Sequence, residues 1–195
     1  RAVLQANGVD DTALREASGF STTLAFAWKD RAGDGHFQLV RNADRLLNAV
    51  DIDAARVPDA AAIVVGSVAL SEEPARRAIE LAVETASGAG VPVCLDLNVR
   101  PTLWASTEAL DAALAPIWPG VTLLKLSLDD ARLLYGNNQT PESIFQWAMG
   151  YGIPFVLLTD GRRGCWYPGP DGEPHHLPAY SVEAVEPTGA VDTCT

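Results

Sequence analysis

The chain has 195 residues, 48% of them apolar, and a formal net charge of -11. That length suffices for one domain with a real core, and the acidic balance without any basic run disfavours nucleic-acid and anionic-membrane partners. Cys94, Cys165 and Cys194 are scattered, with neither a CxxC nor a disulfide framework, which suits a reducing cytoplasm, and the longest apolar run, around 60–70, is too short to span a bilayer.

Residues 1–6 read as the tail of a helix, ended at Asn7-Gly8, a pair that suits a left-handed C-cap. From Phe20 the apolar period becomes two, so Phe20, Thr22, Leu24, Phe26 and Trp28 share one face of a strand. Asp30-Arg31-Ala32-Gly33-Asp34-Gly35 is a turn cluster and 36–41 a second strand, which makes 20–41 a β-hairpin standing beside the main body as a flap. One face of this flap carries enough aromatic surface to need cover by a sheet, a ligand or a partner, and it is the candidate surface for a homodimer.

After Val57-Pro58 the pattern is α/β. Residues 61–66 form a continuous apolar strand, as in a sheet buried on both faces. Glu72-Glu73-Pro74 opens a helix whose apolar stripe is Ala75, Ala78, Ile79, Ala82, Val83 and Ala86, and which ends between Gly88 and Gly90. Then come a strand at 91–97, a helix at 107–115, a strand at 121–126, a helix at 128–135, a helix from Thr140-Pro141 to Met149, and a strand at 153–159. A last hairpin joins 164–167 to a strand near 175–177. This alternation with short loops predicts a mainly parallel sheet with helices on both faces.

Ligands of open parallel sheets sit beyond the carboxyl ends of the strands. Asp96-Leu97-Asn98-Val99-Arg100-Pro101 falls there and can hydrogen-bond a polyhydroxylated or carboxylated ligand, or close as a salt-bridged strand end. Lys125-Leu126-Ser127-Leu128-Asp129-Asp130 reads first as a capping box, with Ser127 as N-cap and Asp130 three residues on. The alternative is that Asp130 helps order Mg2+ and its waters, since Mg2+ needs few protein carboxylates. Thr159-Asp160-Gly161-Arg162-Arg163-Gly164 offers glycines for close backbone approach to a phosphate and arginines for charge, and equally a simple hairpin turn. His36, His175 and His176 fit no metal-site spacing. Near the end, Pro187-Thr188-Gly189-Ala190-Val191-Asp192 reads as a turn into a helix start, where unpaired N–H groups can cradle an anion and a carboxylate can take a proton from a hydroxyl. Plain helix capping is the competing reading of that stretch.

Taken in this order, the clusters resemble the ribokinase-like (PfkB) family of carbohydrate kinases, nearest its fructokinase and 2-keto-3-deoxygluconate kinase branches. Thr188-Gly189-Ala190-Val191-Asp192 looks like the family's T-G-A-G-D signature, and Asp96-Leu97-Asn98-Val99-Arg100 with Leu103-Trp104 looks like its D-P-N-x-R…L-W segment. Lys125-Leu126-Ser127-Leu128-Asp129-Asp130-Ala131 is similar to K-L-S/N-x-x-E-A, and Thr159 to Gly164 resembles T-x-G-x-x-G. Gly66-Ser67 with Glu73-Pro74-Ala75-Arg76 looks fructokinase-like, and Thr22-Thr23-Leu24-Ala25-Phe26 with Val40-Arg41-Asn42 matches the family's lid region.

The resemblance implies a three-layer ribokinase-like α/β fold with a mainly parallel central sheet and a small β-hairpin lid, as one incomplete kinase domain over 1–195 with 20–41 as the lid. It implies an ATP- and Mg2+-dependent transfer of the γ-phosphate to a hydroxyl of a hexose or keto sugar acid, fructose-like in first place. Asp192 would be the catalytic base and the N–H groups of Gly189, Ala190 and Val191 the anion hole. Ser127, Thr159, Gly161 and Gly164 would bind the nucleotide, Asn98, Arg100 and Arg41 the sugar, and Asp130 the metal through water. Val191 stands where the family has its second glycine, Glu186-Pro187 replaces Asp-Thr, Leu97 replaces Pro, and Asp130 replaces the longer Glu. These departures motivate the alternative of a catalytically degenerate sugar- or nucleotide-binding relative acting as a regulatory or interaction module. Both ends of the chain read as cut, so it is expected to be the middle two-thirds of such a kinase and inactive alone.

Overall fold

The computed structural model describes residues 1–29, 35–52 and 56–181. Helix α1 (Ala2–Ala6) ends at Asn7, with Gly8 at φ +72°, the left-handed turn the Asn-Gly pair suggests. Strands β1 (Leu24–Lys29) and β2 (Gly35–Val40) pair antiparallel as a two-stranded sheet of their own, with Leu24 opposite Val40 and Phe26 opposite Gln38. Phe20 lies outside the strand that its period-two pattern suggested, because pairing begins only at Leu24.

The body is a six-stranded sheet in sequential order: β3 (Ile63–Gly66), β4 (Val93–Asp96), β5 (Leu123–Ser127), β6 (Phe155–Thr159), β7 (Cys165–Pro168) and β8 (Pro174–Leu177). The first four are parallel and the last two are added antiparallel. Helices α2 (Ser67–Leu70) and α3 (Ala75–Gly88) connect β3 to β4, α4 (Thr107–Leu114) connects β4 to β5, and α5 (Leu128–Tyr135) with α6 (Pro141–Gly150) connects β5 to β6. The short α2 is not apparent in the sequence, whose four residues carry too little periodicity to mark a helix.

Register explains the core. Val65, Val93, Leu95, Leu124, Leu126, Val156 and Leu158 project from one face of the sheet and are buried. The buried stripe of α3 (Ala75, Ala78, Ile79, Ala82, Val83, Ala86) is the one expected from its spacing. It packs there with Leu110 and Leu114 of α4 and Ile144 and Phe145 of α6. The expectation of helices on both faces is met on this face among the described residues, while the opposite face leaves Val64 60% and Phe155 54% exposed. Trp147 of α6 lies against Tyr135 at 4.8 Å, Trp118 at 5.3 Å and Tyr151 at 5.2 Å between ring centroids. This aromatic cluster packs the C-terminal end of α5 against α6, while its N-terminus follows directly from the end of β5 at the carboxyl edge of the sheet. Burial raises the Tyr135 hydroxyl well above the ordinary phenol range.

Candidate active site

The carboxyl ends of β3, β4, β5 and β6 lie side by side, as parallel pairing requires. Asp96 and Lys125 are register partners on β4 and β5, and the Lys125 Nζ donates to Asp96 Oδ2 at 2.7 Å. The lysine side chain is 2% exposed, a burial that a charged ammonium tolerates only with a close counter-charge. Next to this pair is a cavity of about 250 Å³ lined by Val64, Val65, Gly66, Ser67, Val68, Asp96 and Asn98. Ser67 is 1% exposed and its hydroxyl has no hydrogen-bond partner among the described residues. An unpaired buried hydroxyl costs about 1–3 kcal/mol, so a ligand that bonds it gains from a group the fold leaves unsatisfied.

The loop after β4 carries the predicted sugar residues. The Leu97 N–H donates to the Lys125 carbonyl at 2.9 Å, the last ladder bond of the strand pair. Asn98 then takes φ +36°, the one positive φ of a non-glycine residue among the described residues. The Arg100 guanidinium donates to the Val99 carbonyl at 3.2 Å and reaches the Asn98 carbonyl at 3.5 Å. It also lies 5.5 Å from the ring centroid of Phe37 on β2, within cation–π range, and so links this loop to the hairpin.

Arg41, the predicted lid contact, is buried at the hairpin base. Its Nε donates to Asp44 Oδ2 at 2.7 Å, its Nη1 bonds the Ser71 hydroxyl and lies 3.6 Å from Glu72, and its Nη2 has no partner among the described residues. Burial raises the Asp44 carboxyl, but hydrogen bonds from the Thr23 hydroxyl, Arg41 and the Asn42 N–H outweigh it and hold the group below the usual carboxylate range.

The second half of the rim lies at β5 and β6. Ser127 and Thr159 are register partners at the strand ends. Ser127 caps α5 in the expected capping box: its Oγ accepts from the Asp130 N–H at 3.0 Å, and Asp130 Oδ2 accepts from the Ser127 N–H at 2.9 Å. The Ser127 hydroxyl also donates to Oδ2 at 2.7 Å, and Asp130 Oδ1 accepts from the Val99 N–H at 2.9 Å. Thr159 Oγ1 donates to the Leu126 carbonyl at 3.4 Å. Gly161, at φ +51°, has open space where a side chain would start, which leaves its backbone accessible. Gly164, at φ +105°, is required by the fold itself, since a Cβ there would lie 2.0 Å from the Leu177 carbonyl oxygen. Arg163 grips Asp160 through two bonds of 2.6 and 2.5 Å, which hold the Asp160 carboxyl low and use the arginine charge locally.

At the β5–β6 edge the Ser127 and Thr159 hydroxyl protons are directed to Asp130 and the Leu126 carbonyl, and the backbone at Gly161 is open. No group of three His, Cys, Asp or Glu side chains could hold a metal directly among the described residues. Asp130 accepts three hydrogen bonds, from the Ser127 N–H and hydroxyl and the Val99 N–H, which fill three of a carboxylate's roughly four acceptor positions. Gly189, Ala190, Val191 and Asp192 lie outside the described residues. Sequence reasoning gave no role to Ser67, Lys125 or Phe37. The available signal was a lysine between leucines in a buried strand, which demands a partner across the sheet.

The pfkB family carbohydrate kinase profile matches residues 1–195. Fructokinase-1 of Zea mays is 33% identical over 193 residues, which span 98% of this chain and 59% of that protein. The chain thus spans about three-fifths of the length of the curated relatives it matches. An E. coli protein assigned as a ribokinase II, in complex with ATP and Mg2+, superimposes with a TM-score of 0.83 at 25% identity, covering 97% of this chain and 60% of that one. The fructokinase of Xylella fastidiosa with bound ATP superimposes with a TM-score of 0.84 at 22% identity, covering 98% and 59%. The fold is therefore ribokinase-like, with a mainly parallel sheet and a separate antiparallel hairpin.

Proposed function

The chain belongs to the pfkB family of carbohydrate kinases, and on that premise we propose that the protein transfers the γ-phosphoryl group of ATP to a hydroxyl of a hexose or keto sugar acid, fructose-like in first place. The observation that carries this reading is the cavity at the ends of β3 and β4, lined by Ser67, Asp96 and Asn98 and adjoining a loop whose Arg100 reaches the hairpin. A mainly apolar cavity with three polar side chains beside a hairpin flap suits a hydroxylated substrate that must be screened from water during transfer.

ATP with Mg2+ would supply the activated phosphoryl group and spread its negative charge. Within this chain, Asn98 and Arg100 hold the sugar hydroxyls, Ser67 bonds one more, and Arg41 offers its Nη2, unpaired among the described residues, from the lid base. Ser127, Thr159, Gly161 and Gly164 form the edge that receives the nucleotide phosphates, and Asp130 contributes to ordering the metal's waters. Asp192 takes the proton of the attacking hydroxyl, while the N–H groups of Gly189, Ala190 and Val191 stabilise the phosphoryl oxygens as charge builds on them. The enzyme works in the cytoplasm on a small-molecule sugar, and the half-exposed outer face of the hairpin (Leu24, Phe26, Val40) is the surface for a homodimer.

An ADP-release assay of the full-length protein against a panel of hexoses, pentoses and keto sugar acids tests this reading. Saturable turnover with a ketohexose or keto sugar acid is expected. Binding of sugar or nucleotide without turnover of any panel member would overturn the reading in favour of a binding module.

A further inference from the structure

We infer that Asp130 is a positioning residue of the sugar site, the strut that holds the Asn98–Arg100 loop in its working conformation. The inference rests on the kinase reading above and goes beyond it, because that reading gives Asp130 only a role toward the metal. The geometry is specific. One carboxylate bridges two loops at the carboxyl edge of the sheet: Oδ2 is held by the Ser127 N–H and hydroxyl at the start of α5, and Oδ1 accepts from the Val99 N–H at 2.9 Å in the loop after β4. Asn98 is pinned on both flanks, by the Leu97 N–H bond to the Lys125 carbonyl before it and by the Val99 N–H bond to Asp130 after it.

Asn98 needs such pinning. Its φ of +36° lies in a region that residues with a Cβ seldom occupy; Asn enters it more readily than most, and a specific contact selects it over negative φ. The Leu97 bond belongs to the strand ladder and forms wherever β4 pairs with β5. The Val99 bond lies beyond the ladder, so the turn at Asn98 depends on the side chain that supplies its acceptor. Release of Val99 would let Asn98 relax to negative φ, swing its amide off the cavity wall, and free the Asn98 and Val99 carbonyls from Arg100.

The test uses the full-length protein with Asp130→Ala and Asp130→Asn. Hydrogen exchange is read at the Val99 and Leu97 amides, together with KM for sugar and for ATP and the Mg2+ activation midpoint. For Asp130→Ala, Val99 should exchange at least about tenfold faster while Leu97 keeps its protection. The sugar KM should rise about tenfold and the ATP KM should stay within about twofold, while the Mg2+ midpoint reads out the separate role toward the metal. Asp130→Asn keeps one acceptor oxygen and sets its NH2 against the N–H of either Ser127 or Val99, so its sugar KM should fall between those of wild type and Asp130→Ala. Three results would overturn the inference: a shifted Mg2+ midpoint with an unchanged sugar KM, Val99 exchange equal to wild type, or joint loss of Val99 and Leu97 protection, which marks a merely structural cap. A wild type inactive on every sugar defeats the kinase reading and the sugar half of this inference with it, and the exchange data then show separately whether the strut exists.

Discussion

Ser67→Ala separates the two consequences of a buried, unpaired hydroxyl, and they have opposite signs. In the unliganded protein the Ser67 Oγ is sealed from water and bonds nothing among the described residues. Its removal relieves a desolvation penalty of about 1–3 kcal/mol, offset in part by the small void left by one oxygen. A net gain of about 1 kcal/mol would raise Tm by roughly 2–4 °C for a domain of 150–250 residues. In the sugar complex a shift of the cavity wall that opens this hydroxyl makes it a partner for the substrate, worth about 0.5–1.5 kcal/mol, which converts to a rise in sugar KM of roughly two- to tenfold. The assay pairs thermal unfolding without ligand with steady-state kinetics on the full-length protein. A variant that is more stable and binds sugar less well, with its ATP KM unmoved, is the expected outcome. A fall in Tm would mean that the hydroxyl has a protein partner after all, and an unchanged sugar KM would remove Ser67 from the substrate wall.

Asp192→Asn should lower kcat by about 10²–10⁴ with sugar and ATP KM nearly intact, as expected for a base acting only in the transition state; kcat within twofold of wild type would dismiss it as the base. Gly164→Ala should destabilise the fold strongly, because its Cβ would meet the Leu177 carbonyl at 2.0 Å and φ is +105°; urea midpoints check this, and a wild-type midpoint would contradict the packing of β8 on this turn. The Asp44 carboxyl is held below its ordinary value in the folded protein. Its contribution to stability is thus complete above the unfolded-state pKa of about 4 and is lost as pH falls through the lower folded-state value. Denaturation followed from pH 6 to pH 3 should therefore show acid loss that is shallower in Asp44→Asn, and identical slopes would refute this role.

Much of the fold was legible because it is written in local periodicity. The apolar runs that became β3 to β6, the stripe Ala75–Ala86 of α3 and the Ser127–Asp130 box each depend on residues a few positions apart, where one strand or helix suffices to give them meaning. The order and spacing of the motifs likewise marked out the family. What the tertiary structure alone decided are the contacts between segments far apart in sequence. Lys125 finds Asp96 only because β4 and β5 lie in that register. Gly164 must be glycine because β8 folds back over it, a requirement its motif alone does not display. Arg41, placed toward the sugar by its position in the lid, is held by Asp44, Ser71 and Glu72, none of which its motif names. Asp130 completes a local cap that the sequence displays, yet spends its other oxygen on Val99, 31 residues away. Side-chain hydrogen bonds leave no periodic trace in a sequence, since their partners are set by which strand ends the sheet brings together, and that is where this protein's site is built.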